Sequence, residues 1–312
     1  MKPKKIILDT DIADDIDDAF ALALALKNKR AELIGITTVF WNASARAQFA
    51  KYFLSEFGML QIPIRAGASQ PLLQIPEKIE PPQFTVKYDE KGRYLPPQYD
   101  RKQMRAVISD EHAANFIVKT FKKEPDCEIV TIGALTNLAL AIKLAPEVFI
   151  GRKCTIMGGC YRKLNLGKNG APIEIAEWNI LCDPEAAQIV FSSGMEIYMV
   201  GLDVTLDVEM PKSIFDRVLS APPCKSFPVW IEKWQKHVKS ELPCLHDPLA
   251  LLAALNDDIL EFEKHKLYVV TEKNGNGFIR EGSQGFEVNV ALKLNKIYFW
   301  QLFEDIFFEE KQ

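Results

Sequence analysis

The sequence predicts an α/β protein: an open, mostly parallel sheet with crossover helices, followed by further helices toward the C-terminus. Three observations carry this. Short apolar segments alternate with stretches of helical period along most of the chain. Glycines such as Gly194 and Gly201 stand where a helix stops or a strand ends. No Ser/Gly-rich linker or shift in composition divides the chain, so residues 1–312 are read as one domain, although length alone gives a prior of about two.

The elements follow in order. KKIIL (4–8) reads as a strand and DDAFALALALKN (17–28) as a helix. LIGITTV (33–39), the helical SARAQFAKYFLSEFG (44–58) and IPIRAG (62–67) continue the alternation. It resumes with CEIVTIGA (127–134), LTNLALAIKLAP (135–146), KCTIMGG (153–159), DPEAAQIVFSSG (183–194) and MEIYMVGLDV (195–204). Such alternation is how parallel strands are joined by crossover helices. Between Gly67 and Asp110 lies a segment rich in proline (Pro71, Pro76, Pro81, Pro82, Pro96, Pro97), too long for a routine connection and expected either to cover a site or to lie disordered. Tyr88, Tyr94 and Tyr99 in it either stack on a base or, as expected here, cover the core. Further helices are expected to start near Pro211 and Asp247, with a strand at LYVVT (267–271) and a turn at KNGNG (273–277).

Composition excludes several functions. Lysine plus arginine (38) nearly balances aspartate plus glutamate (42), for a formal charge of -4, which argues against a polyanion partner or a polybasic membrane surface. The apolar runs Ala19–Leu26 and Leu249–Leu255 fall far short of the roughly 20 residues that span a bilayer. The start, MKPKKIILDTD, lacks a secretory apolar stretch, so the cytoplasm is the expected location. Six cysteines without a CxxC pair are expected to be buried free thiols.

The chemistry concentrates at the end of the first strand. Asp9, Asp11, Asp14, Asp15, Asp17 and Asp18 place six carboxylates within ten residues, between a strand and an apolar helix. In an open α/β sheet that loop opens into the ligand crevice. Helix capping accounts for part of Asp14–Asp18. It does not account for Asp9 and Asp11, whose alternate spacing on a strand end directs both carboxylates to one side. A hard cation bound through oxygen relieves such repulsion, and several carboxylates with carbonyls suit calcium better than magnesium.

The string DTDIADDIDDAFAL closely resembles the signature of the nucleoside hydrolases, DTDPGxDDAxA, with two more residues between its acid pairs. The resemblance implies a Rossmann-like core and hydrolysis of the N-glycosidic bond of ribonucleosides by a calcium-activated water. It implies Asp11 as general base and metal ligand, Asp18 as second metal ligand and Asp17 as a ribose contact, with Asp9 supporting the cluster at its edge. TTVFWN is similar to the family's TTVxGN, which implies Asn42 at the ribose, with Trp41 in place of glycine. As residues alone, Asn42 reads as a loop or cap position.

TIGALTNLALAI resembles xGPLTNxALA and implies the Ile132 carbonyl as a metal ligand. MGGCYRKLNLGKNGAPIEIAEWN resembles the MGG…AEFN stretch and implies Met157, Glu177 and Asn179 at the sugar, with Asn165 and Asn169 competing for a further contact, Asn169 being the one carried forward. LHDPLALLAAL is a good N-terminal cap with proline in the first turn. Through the resemblance, Asp247 closes the metal shell and His246 lies beside the leaving base. One departure is Leu206, where relatives often carry histidine. The resemblance also implies a nucleoside substrate and a homodimer or homotetramer. The alternatives are a non-catalytic nucleoside or ribose binder and a phosphatase of the DxD type.

Overall fold

The computed structural model describes residues 2–73, 87–272 and 276–309. Within them nine strands form one sheet: β1 (Lys4–Thr10), β2 (Ala31–Thr38), β3 (Ile64–Ala66), β4 (Glu128–Thr131), β5 (Lys153–Met157), β6 (Glu196–Val200), β7 (Leu260–Val269), β8 (Ile279–Glu281) and β9 (Phe286–Leu294). Their spatial order is β3-β2-β1-β4-β5-β6-β9-β7-β8. Neighbours from β3 through β6 to β9 run parallel, and β7 is antiparallel to both β9 and β8. The chain winds outward from β1 in both directions, so the gap between β1 and β4 is the switch point where ligands enter such sheets.

Alternation along each strand feeds two cores. Ile6 and Leu8 of β1 pack on one face and Ile7 on the other. The first face is covered by α1 (Asp17–Lys27), α2 (Ala43–Glu56), α8 (Lys212–Ser220), α9 (Phe227–Val238), α10 (His246–Leu255) and α11 (Lys296–Phe307). The second is covered by α3 (Ala113–Lys123), α4 (Thr136–Leu144) and α6 (Pro184–Phe191). The short helices α5 (Trp178–Leu181) and α7 (Leu202–Thr205) lie in the loops after β5 and β6. The apolar runs read from the sequence are α1 and α10, buried all round and packed together. Among the described residues no helix is long and apolar enough to cross a membrane. All six cysteines are free thiols, five of them buried.

The expected strands and helices up to β6 are present, as are helices at Lys212 and His246. The C-terminal third differs. LYVVT is only the end of the ten-residue β7, and β8 and β9 extend the sheet where mainly helices were expected. Charges on the half-exposed β7, LEFEKHKLYV, hide its strand character from an apolar-run criterion. Helix α3 was also not anticipated, because it follows the irregular proline-rich segment directly. Pro76, Pro81 and Pro82, and Lys273–Gly275 of the expected turn, lie outside the described residues.

Candidate active site

Asp17 and Asp18 open α1, Asp247 lies in the first turn of α10, and these helices pack side by side. Their starts therefore coincide, and carboxylate oxygens of Asp17, Asp18 and Asp247 all lie within 4.8 Å of one another. All three are buried. Burial first, and then the charges of the other acids, push each well above the usual carboxylate range. Few donors offset this: Thr10 Oγ1 donates to Asp18, and the Asp247 N–H donates to Asp17 Oδ2 at 3.2 Å. A buried all-oxygen donor set with uncompensated negative charge fits a hard divalent cation.

Asp11 follows β1 directly, in the crevice of the switch point. It does not belong to the group of three, yet its charge is, after burial, the largest influence raising Asp18. Burial raises Asp11 itself to about 7, the Arg46 guanidinium opposes that, and Asp14 and Glu177 add to it. Against it lies the turn after β4. A Cβ on Gly133 would sit 2.9 Å from both the Asp11 amide and its Oδ1, so only glycine lets this turn approach. Ile132 precedes Gly133, its N–H bonded to the Asp9 carbonyl at 2.8 Å.

Asp9, implied at the edge of the cluster, is tied to the neighbouring elements. It lies one residue before the strand end, and its Oδ1 accepts from Thr37 Oγ1 at 2.5 Å and Asn137 Nδ2 at 2.8 Å. Oδ2 has no partner among the described residues, and burial raises the group to about 7.

The residues between Asp11 and Asp17 form a turn with Ala13 at φ 91°. Arg46 of α2, fully buried, reaches into it. Its Nη2 donates to Asp14 Oδ2 at 2.6 Å, Nη1 to the carbonyls of Asp11 and of Ile12 (3.0 Å), and Nε to the Phe40 carbonyl at 2.9 Å. Tyr94 Oη donates to Asp14 Oδ1 at 2.6 Å, and Gln98 Nε2 to the Asp15 carbonyl at 2.7 Å. Tyr94 thus does more than cover the core, while Tyr88 is exposed.

Of the residues implied at the sugar, Glu177 lies close enough for its charge to raise Asp11. Asn42 caps α2, accepting from the Ala45 N–H at 3.1 Å, and donates to the Tyr94 carbonyl at 2.7 Å, so the cap reading of its sequence position is realised. Asn179 Nδ2 donates to the carbonyl of Met157 at 3.1 Å. Glu177 caps α5, accepting from Asn179 N (2.9 Å), Gly159 N (2.8 Å) and Ile180 N (3.2 Å). Burial raises its pKa and these amides pull it back. Phe40, Trp41, Tyr94 and Trp178 wall this side, with Trp41 centroids 4.7, 4.4 and 6.3 Å from the other three.

Asn169 is not brought in: the long segment after β5 folds on itself through a Leu164–Ile173 bridge and leaves Asn165 and Asn169 exposed, Asn169 at φ 58°. Asp17, expected to contact only the sugar, shares the three-carboxylate group. His246 Nδ1 lies 2.8 Å from Thr205 Oγ1, and burial pushes its pKa down to about 4, so the ring is neutral at physiological pH. Leu206, next to Thr205, is partly exposed.

The sequence alone singles out none of Arg46, Gln98 and Gly133, and it offers Tyr94 only as a ring that stacks on a base or covers the core. Only the Gly of TIGALTN carried a signal, since a glycine directly after a strand marks close backbone approach.

The family described as inosine-uridine preferring nucleoside hydrolase matches residues 6–301. The chain is 32% identical to uridine nucleosidase 1 of Arabidopsis thaliana, across 87% of this chain and 80% of that one. It is 30% identical to the inosine-uridine preferring nucleoside hydrolase of Crithidia fasciculata, across 97% of each. Among solved structures, a plant nucleoside hydrolase superposes with a TM-score of 0.80 at 23% identity, covering 98% of this chain and 99% of that one.

Proposed function

The chain belongs to the inosine-uridine preferring nucleoside hydrolase family and is a ribonucleoside hydrolase; from that premise we propose that it works with a calcium ion and Asp11 as general base. The observation that carries this reading is the meeting of Asp17, Asp18 and Asp247, all buried, beside Asp11 at the sheet's switch point. Asp18, Asp247, Asp11 and the Ile132 carbonyl would hold the ion, with Asp17 contributing. When bound, such a cation offsets the carboxylate charge and acidifies water.

Asp11, beside the ion, would take a proton from the attacking water. That water adds to the anomeric carbon as the bond to the base nitrogen breaks, giving ribose and free base. Asp17, Asn42, Met157, Glu177 and Asn179 would grip the ribose and strengthen their hold as the ring flattens in an oxocarbenium-like transition state. His246 is neutral, so with Thr205 Oγ1 donating to Nδ1 it would offer its Nε2–H as a hydrogen bond to the departing base nitrogen, and the base would take its proton from water.

Self-association as a homodimer or homotetramer and a cytoplasmic place in purine or pyrimidine salvage complete the proposal. The self-association and the salvage role rest on the family resemblance, the location on the N-terminal sequence. Inosine, uridine, cytidine, adenosine and guanosine, each incubated with and without chelator, test it: base release that chelation abolishes and Ca2+ restores is expected. Ligand binding without base release from any of the five would favour the non-catalytic binder.

A further inference from the structure

We propose that Arg46 is a positioning residue for Asp11: with Asp14 it forms a buried strut, locked by Tyr94, that fixes where the base and metal-binding carboxylate points. The inference rests on the ribonucleoside hydrolase reading above. A guanidinium present only to neutralise acids would spend its donors on carboxylates. Arg46 gives one to Asp14 and three to backbone carbonyls, those of Phe40, Asp11 and Ile12.

Those carbonyls lie where the sheet stops helping. The ladder between β1 and β2 ends at Thr10 and Thr38, with one further bond from the Val39 N–H to the Thr10 carbonyl at 3.1 Å. Beyond it both chains turn through left-handed residues, Ala13 on one side and Phe40 and Trp41 on the other, which are strained backbone that surrounding contacts must hold. Arg46 ties the two turns together at the step where the chain leaves the strand for Asp11.

Asp14 orients the guanidinium from the opposite side, and Tyr94 Oη holds the other oxygen of Asp14. The Arg46 side chain is fully buried, which leaves it no contact with substrate. A buried ion pair is weak evidence for stability, and fixing a single arrangement is its better-attested use. The turn that contains Asp14 carries the two residues by which this signature exceeds the family's, so the strut belongs to this chain's version of the site.

The test uses uridine hydrolysis, with kcat and KM measured separately, and calorimetric titration with Ca2+ alone. The variants are Arg46→Lys, the double variant Arg46→Met with Asp14→Asn, and Tyr94→Phe. Lysine keeps the charge but, as a point donor, cannot span the carbonyls and Asp14 together. The double variant removes one charge of each sign, so net charge near the metal site is unchanged and only geometry is read.

For both Arg46 variants, kcat per Ca2+-binding chain should fall about 10²-fold with KM within about threefold, the cost of misplacing a reacting group by an ångström. Ca2+ affinity of the double variant should fall about tenfold, because Asp11 is also a ligand. Turnover within about threefold of wild type in either variant overturns the proposal. If neither folds, Tyr94→Phe decides: a kcat lowered about fivefold at constant KM is expected, and an unchanged kcat overturns it. Wild-type protein that hydrolyses no nucleoside would sink the hydrolase reading instead, and the Ca2+ arm would still judge the strut, an unchanged affinity in the double variant overturning it.

Discussion

Replacing Asp9 with asparagine should make the cation-free protein's stability less sensitive to pH, by an amount the structure sets. Burial raises Asp9 to about 7 from 3.8, against the pull of Thr37 and Asn137. Below the unfolded value both states hold the proton. Between the two values the unfolded chain loses it and the folded one does not, so stability falls as pH rises through that window. Each pH unit there costs about 1.4 kcal/mol, and from about pH 5 to about pH 8 the loss assigned to this one group is about 2–3 kcal/mol.

Asparagine does not titrate, and its Oδ1 can still accept from Thr37 Oγ1 and Asn137 Nδ2. Its amide replaces an oxygen without a partner among the described residues, which adds a pH-independent offset of about 1–3 kcal/mol. Urea unfolding of wild type and Asp9→Asn in chelator at the two pH values measures the difference of differences. The variant should gain about 2–3 kcal/mol on wild type between pH 5 and pH 8. A gap that is the same at both values would refute a neutral, buried Asp9. Asp17, Asp18 and Asp247 drift the same way in both proteins and cancel from the comparison.

Gly133→Ala puts a methyl 2.9 Å from the Asp11 amide and Oδ1. It should cost about 1–3 kcal/mol in stability and about 10²-fold in kcat with KM little changed; an unaltered kcat would contradict the close contact. His246→Ala should lower kcat about 10²-fold through loss of the hydrogen-bond donor to the departing base. With the folded pKa pushed down to about 4, the imidazole stays neutral from about pH 5.5 to about pH 8, so the pH–rate profile there should keep its wild-type shape. A limb near pH 6.5 that disappears in the variant would show instead a histidine charging during turnover.

The sheet was legible up to β6 because buried parallel strands read as apolar runs and their helices carry clear period and stops. The β7–β9 extension was not, since alternating charges on a half-exposed strand give no such run. The acidic string marked the switch-point loop correctly. It did not say which acids would converge, because that depends on α10 packing beside α1 and bringing Asp247, 230 positions from Asp17, to the same point.

Arg46 was invisible for a related reason. In SARAQFAKYF an arginine four residues after a cap reads as a solvated helix face, and only the turn lying across α2 buries it. Tyr94 sits in a segment with no period at all. Asn169 illustrates the opposite failure: a motif with extra residues supplies an asparagine at an expected place, and the extra length lets the segment fold away from the site.

Calorimetric titration of chelator-stripped protein with Ca2+, repeated in buffers of different ionisation heat, probes the carboxylate group itself. Because Asp17, Asp18 and Asp247 are all pushed toward the protonated form, one ion per chain should bind with release of protons to the buffer, and Asp247→Asn should weaken that binding sharply. No binding to the wild type, or binding without proton release that Asp247→Asn leaves intact, would contradict the account.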